Sequence, residues 1–222
     1  MLIAAGCQPA NRLELDSMTT AVPDATILVP APAEDLCLSF ANTRYWRGSE
    51  PATEQLTTPK ELGDWLAANA SMPGVRSSKK RAEGGIDLDA MFDDALRLRE
   101  AIYRAFLAIG EGGSPPAHDL EIFNSALRDA PQRLGISAAG GTYCWIVALP
   151  AASLGGTLAP VIWSAADLLT HAGERRIRRC ANDKCQWVFV DRSKGGTRRW
   201  CDMSSCGNRA KSHRHYARSK QA

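Results

Sequence analysis

Residues 180–211 read CANDKCQWVFVDRSKGGTRRWCDMSSCGNRAK, and the four cysteines in this stretch decide how the C-terminal quarter of the chain folds. Four residues separate Cys180 from Cys185, four separate Cys201 from Cys206, and fifteen lie between the two pairs. Structural zinc takes four thiolate or imidazole ligands in a tetrahedron, commonly as two local pairs joined by a longer segment. Each pair closes a short loop at small entropic cost, and the segment between them need only fold back. That segment reads as a small hairpin: WVFVD (187–191) alternates like a strand, Gly195-Gly196 turns it, and TRRW (197–200) returns. Ser204 or Ser205 is then expected to cap a helix with Cys206 in its first turn. A knuckle, a hairpin and a helix that supplies the last ligand describe a treble-clef-like zinc finger over residues 174–222. Four cysteine ligands leave no open position for water, so one structural Zn2+ is expected. Disulfides or four unrelated thiols are the alternatives, and the paired spacing within a basic setting favours metal. His213 and His215 are expected to face solvent or phosphate.

The same region gathers the positive charge. Residues 171–222 hold 14 Lys and Arg against 4 Asp and Glu, a net +10, whereas residues 1–170 hold 13 against 20, a net −7. Such asymmetry indicates an acidic body carrying a module that seeks a polyanion. Arg198 and Arg199 lie on the predicted returning strand, and Arg209, Lys211, Arg214 and Arg218 on the predicted helix. The spacing of Lys211, Arg214 and Arg218 places them on one helical stripe. Such a stripe neutralises phosphates and releases their counterions, and an arginine can read guanine in a DNA major groove. Arg209 has two readings, a nucleic-acid contact or a brace paired with Asp202 or Asp191. Trp187 and Trp200 are expected to pack the small core of the finger.

The remaining composition is that of a globular protein: 222 residues, 45% hydrophobic and 23% charged. No run of eighteen apolar residues exists in the sequence, so no transmembrane helix and no membrane partner are expected. Seven cysteines, an odd number, argue against an extracellular disulfide framework. The segment IAAGC ending at Cys7 lacks the preceding basic residue and the apolar length of an export signal. A cytoplasmic, nucleoid-associated protein is therefore expected, with residues 1–32 a disordered extension whose part rich in Pro, Ala and Thr, 18–32, is extended, and with Met18 a candidate start.

Residues 33–173 read as a mainly helical α+β domain with a small antiparallel sheet. A short helix over 33–46 turns Leu36, Cys37 and Phe40 inward. TPKELGDWLAANA starts a second helix with Thr58 as N-cap, Pro59 at N1 and Glu61 at N3, a capping box. The basic triplet Lys79, Lys80 and Arg81 sits in a solvated loop. A long helix follows from Asp87 to Gly110, with Leu88, Met91, Ala95, Leu98, Ile102, Ala105 and Ile109 as its buried stripe and its charges mostly opposite. Ser114-Pro115 opens another helix running to about Ala130, with Leu120, Phe123 and Leu127 inward. RLGISAAGGTYCWIVALP (133–150) reads as a hairpin turning at Gly140-Gly141. A last helix spans roughly 157–171.

The pattern C-x4-C…F-x-D…RRWC-x-M-x-x-CGNR-x-K resembles the CGNR-type zinc finger over residues 175–218. The preceding part resembles the ABATE domain that accompanies this finger, through LCLSFANTR (36–44), LTTPKELGDW (56–65) and the long central helix. The acidic residue usual after CL in that domain is here Ser39. The resemblance implies a stress-induced transcription regulator whose zinc finger binds DNA and whose N-terminal domain senses a ligand or mediates assembly. An RNA-binding or ribosome-associated zinc protein is the alternative, because charge alone does not separate DNA from RNA. An enzyme is the third reading. Its polar candidates Asn42, Thr43, Arg44 and His118 form no nucleophile–base arrangement, so no catalytic residue is assigned. Asn42 and Arg44, at the expected end of the first helix, are candidates for orienting a small anionic ligand, and the alternative is that they cap the helix and brace its loop. Regulators of this kind often bind DNA as symmetric dimers, so a homodimer is also expected.

Overall fold

The computed structural model describes residues 26–70, 88–139, 141–151, 153–174 and 176–219, with the backbone alone at 88, 139, 213–215, 217 and 218. Its first strand, β1 (Thr26–Pro30), corrects the reading of residues 1–32 as disordered throughout. The run TILV is aliphatic and β-branched, and it pairs antiparallel with β5 (Thr142–Ala148), from Thr26 opposite Ala148 to Pro30 opposite Cys144. Flanking prolines obscure this strand in the sequence. Pro30 is tolerated because β1 lies at the sheet edge, where a missing N–H breaks no ladder.

Helix α1 (Leu36–Ala41) buries Leu36, Cys37, Leu38, Phe40 and Ala41. Burial pushes the Cys37 thiol up to about 12, which makes it an inert core residue as expected. A two-residue ladder joins β2 (Arg44–Tyr45) to β3 (Thr53–Glu54). Helix α2 (Pro59–Asn69) starts with the predicted capping box: Thr58 Oγ accepts from the Glu61 N–H at 3.2 Å, and the Glu61 carboxylate accepts from the Thr58 N–H at 3.0 Å. Trp65 of α2 lies against Phe40, ring centroids 5.2 Å apart.

Helix α3 (Leu88–Gly110) runs through the middle of the molecule. Ala95, Leu98, Ile102 and Ala105 of the predicted stripe are buried, joined by Ala101, Tyr103 and Phe106, whereas Met91 and Ile109 are half-buried. Arg99 is an exception to the charges of α3 lying mostly on the outer face, being 2% exposed. Its guanidinium donates to both Glu54 oxygens, each at 2.6 Å, and to Thr43 Oγ at 3.2 Å. A buried charge persists only when paired and hydrogen-bonded, and this pair ties the β2–β3 ladder to α3. The basic triplet at 79–81 and the Asp87 cap lie outside the described residues.

Helix α4 (Ala117–Asp129) begins after Pro116 and packs on α3. The predicted hairpin forms from β4 (Arg133–Ala139) and β5, giving a sheet of order β1-β5-β4. The predicted last helix is two, α5 (Leu154–Thr157) and α6 (Ala159–Thr170). Pro160 lacks the N–H that would continue α5, so it starts α6 instead. Among the described residues no helix is long and apolar enough to cross a membrane.

The C-terminal part opens with β6 (Ile177–Arg179), which pairs antiparallel with β7 (Val188–Val190), Ile177 opposite Val190. The WVFV strand therefore forms, but its partner precedes the first cysteine pair and is not TRRW. Residues 197–200 return without strand structure. A wide turn (Met203–Gly207) leads into helix α7 (Asn208–Ser219). Ile177, Val188 and Val190 join the same apolar cluster as Phe40, Leu98, Ile102, Phe106 and Ile162. The finger's strands thus join the core of the α+β body, while Cys180, Cys185, Phe189 and Cys206 form a small cluster of their own, packed by Trp46 and, as expected, by Trp187 and Trp200.

Candidate metal centre

The first cysteine pair hangs between β6 and β7. The Cys180 N–H donates to Trp187 O at 2.7 Å and the Cys185 N–H to Asn182 O at 2.8 Å, closing a knuckle in which Gln186 adopts a positive φ of 58°. The second pair brackets the wide turn. Asp202 caps that turn, accepting from the N–H groups of Ser204 and Ser205 at 3.1 and 2.9 Å, so the cap is neither of the serines expected. The Ala181 N–H donates to Arg199 O at 2.8 Å and pulls the returning segment onto the knuckle.

These restraints bring the sulfurs of Cys180, Cys185, Cys201 and Cys206 within 4.8 Å of one another. Cys185 and Cys201 are 3.6 Å apart, and Cys201 and Cys206 3.9 Å. A tetrahedron with Zn–S arms of about 2.3 Å has edges of about 3.8 Å, so the donor set fits zinc. The electrostatics agree. Hydrogen bonds from Cys185 and Cys201 pull the Cys180 thiol down to about 2, which pushes Cys185 up to about 12 and Cys201 upward as well. Thiols this close share little negative charge unaided, and a bound dication lets them ionise together. The result is a zinc-binding cluster with four sulfurs and no fifth protein donor among the described residues. Sequence reasoning missed Asn182, whose amide donates to Cys206 Sγ at 3.4 Å and accepts from the Lys184 N–H at 3.1 Å. An asparagine two residues after the first cysteine was the only signal for it.

Each residue of the CGNR tetrad has a distinct place. Cys206 enters the cluster. A Cβ on Gly207 would lie 2.9 Å from Met203 Sδ and 3.4 Å from Trp200, so the turn has no room for a side chain. Asn208 donates to Ser204 O at 3.0 Å. Arg209 pairs with neither Asp202 nor Asp191; its guanidinium lies 4.3 Å above the ring of Trp46, in the loop between β2 and β3.

The predicted nucleic-acid residues divide accordingly. Arg198 is a brace: it donates to Trp200 O at 2.8 Å and to Cys201 O, and it stacks 4.9 Å from Phe189. Asp191 holds the same segment, accepting from the Arg198 N–H at 3.0 Å and from Ser193 Oγ at 2.6 Å. Those bonds, Ser193 first, hold the Asp191 carboxyl below its ordinary value. Arg199 and Lys211 are exposed. The side chains of Arg214 and Arg218 lie outside the described residues. A groove of about 620 Å³ runs beside α7, lined by Ser204, Ser205, Asn208, Arg209, Ser212 and Tyr216.

Asn42 serves the finger. Its amide donates to Val188 O at 2.9 Å and accepts from the Val188 N–H at 3.2 Å, so both polar ends are engaged by β7 and neither is turned to a ligand. Arg44 is half-exposed, 3.6 Å from Glu100. A cavity of about 590 Å³ in the N-terminal part lies elsewhere, between Glu34, Arg133, Trp145, Asp167, Leu168 and His171. Further contacts seat the finger: Tyr103 Oη donates to Gln186 O at 2.9 Å, the Gly48 N–H to Lys184 O at 3.2 Å, and Arg192 to Glu34 and Asp35 at 2.9 and 3.0 Å.

A helical α+β domain, with the strands of a four-cysteine finger packed into its core, defines a zinc-finger protein. The chain belongs to the ABATE family, described as "Putative stress-induced transcription regulator", whose model matches residues 34–172, and the CGNR zinc finger model matches residues 176–219. A search of the curated proteins finds no match.

Proposed function

We propose that this protein is a zinc-dependent, DNA-binding transcription regulator of the cytoplasm and nucleoid, holding one structural zinc per chain. The observation that carries the reading is α7. Among the described elements its strongest contact is with the wide turn that starts it, and Asn208, Arg209, Lys211, Ser212, Tyr216 and Ser219 are exposed. It carries four basic residues within the net +10 segment. Lys184, Lys194, Arg199 and Lys211 are exposed and have no acidic partner among the described residues, so their charge is available to phosphates. Arg178, Arg179, Arg192 and Arg198 are spent inside the protein and hold the finger's shape. The N-terminal domain contributes a fixed seat for the finger, and its role is binding and assembly, not catalysis.

The test is a salt titration of binding to a labelled DNA duplex, with an RNA duplex of the same length alongside. Log affinity should fall by about 0.9 per log salt for each phosphate neutralised, and the double variant Arg199→Ala/Lys211→Ala should lower the slope by about two. Chelation of the zinc should abolish binding. Equal slopes for wild type, variant and zinc-free protein would remove the finger as the contact surface, and tighter binding to RNA would replace the DNA reading.

A further inference from the structure

Strand β4 is the outer strand of its sheet: β5 covers one edge, and no described strand covers the other. Natural sheets guard such edges with lysine, proline, a bulge or a short strand. Here a bulge between Arg133 and Gly135 marks only the beginning of the strand. Residues 134–139, LGISAA, contain neither charge nor proline. The register sets Ile136 opposite Trp145 and Ala138 opposite Tyr143, so these four side chains share one face. Trp145 packs against the Val29, Val147 and Trp163 cluster, but the outer end of the face is bare. Leu134 is 50% exposed, Ile136 62% and Tyr143 75%. Single exposed apolar residues need no explanation; Leu134 and Ile136 on an unguarded edge strand, with Tyr143 beside them on β5, do.

We propose that this edge binds a second copy of the chain, with β4 pairing antiparallel to its own counterpart across a two-fold axis and extending the sheet to six strands. Three properties select a second copy over a foreign strand. An antiparallel edge is self-complementary, because a two-fold axis midway between two copies of the strand sets outward N–H groups of each against outward C=O groups of the other. Charge points the same way. Residues 134–139 carry no charge, so a seam formed by two copies of this strip sets no like charges against each other. Area is the third. The exposed parts of Leu134, Ile136 and Tyr143 come to roughly 400 Å² per copy, and with the paired backbone the whole contact reaches about 1,000 Å², the lower limit for specific association. The dimer is therefore weak and concentration-dependent.

Sedimentation equilibrium of the full zinc-loaded chain decides the matter. Between about 5 and about 200 µM the mass of the wild type should rise from 24.0 kDa toward twice that value. Ile136→Lys, at a largely exposed position, should hold the mass at one chain throughout, with unchanged circular dichroism and zinc content. Ala138→Lys, on the same face, supplies a second variant should the first fold poorly. Amide exchange along β4 in the wild type should slow as concentration rises. A wild type that stays at one chain mass throughout, or a folded lysine variant that associates as the wild type does, would overturn the proposal.

Discussion

Replacing Asn42 by alanine removes both halves of the clamp between the end of α1 and β7. Asn42 makes bonds of 2.9 and 3.2 Å to the carbonyl and N–H of Val188, a residue buried in the common core. Without the amide, two buried backbone groups lose their partners, at about 1–3 kcal/mol each. Water entering the space left by the side chain offsets part of this, so the expected loss is about 2–4 kcal/mol. In a chain of this length 1 kcal/mol moves Tm by about 2–4 °C, which puts the variant about 5–15 °C lower. The effect should also reach the metal, because Val188 follows Cys185 by three residues and anchors the knuckle. Guanidinium unfolding followed by tryptophan fluorescence gives the stability, and the rate of zinc capture by a colorimetric chelator gives the second readout. Asn42→Asp keeps an acceptor for the Val188 N–H but sets a carboxylate against the Val188 carbonyl, so it should fall between wild type and alanine at acid pH and match alanine at neutral pH. If Asn42→Ala unfolds within about 0.5 kcal/mol of wild type and releases zinc at the same rate, the clamp is wrong. A residue reserved for a small ligand would give that outcome.

Gly48→Ala places a Cβ 1.8 Å from Asp183 O, so the loop must lift from the knuckle; the variant should lose about 1–3 kcal/mol and release zinc faster, whereas Gly113→Ala, whose nearest neighbour would be 3.4 Å away, should not change zinc release. Arg99→Met alone strands Glu54 and should cost about 3–5 kcal/mol, while Arg99→Met/Glu54→Leu should recover most of it; equal losses in urea unfolding would mean the pair is not a unit. Arg198→Ala should lower stability and leave DNA affinity per folded molecule unchanged, and Arg199→Ala should do the reverse, as Tm and anisotropy would show. Burial works to raise the Glu100 carboxyl, but the Arg47 hydrogen bond and the charges of Arg47, Arg99 and Arg44 hold it below its ordinary value. Its stabilisation is complete above the unfolded pKa, about 4.3, and is lost as pH falls through the lower folded value. The Tm deficit of Glu100→Gln should thus be full at neutral pH and shrink in acid; a constant deficit would refute the linkage.

What the sequence made legible was local. The Thr58–Glu61 capping box, the β4–β5 hairpin and the two cysteine pairs each depend on residues within a few positions of one another, so their spacing carries the information. Long-range choices were not legible. Nothing in WVFV says whether it pairs forward with TRRW or backward with IRR; the shared core decides, because Ile177 and Val190 lie opposite each other and are buried together. Asn42 and Val188 are 146 positions apart, and asparagine at a helix end has an ordinary local explanation that hides the distant one. Arg99 falls where helical periodicity allows an outward residue, and its burial depends on Glu54 arriving from β3 and Thr43 from the turn before β2, alongside its neighbour Glu100. The Arg209–Trp46 contact was hidden for the same reason.

Only six residues separate α6 from β6, and β6 enters the core at once. A finger on a flexible tether gropes for its target and leaves its carrier free to trail behind. Here the carrier is bolted on, so whatever α7 touches must also make room for the acidic body, held at one fixed angle. If α7 meets a nucleic acid as proposed, the tilt of that body against the phosphate chain acts as a ruler. It would then set how closely two copies can sit along one strand and which side of a duplex each can occupy. Transplanting the finger into another protein would discard that ruler along with the residues that give β6 and β7 something to fold against.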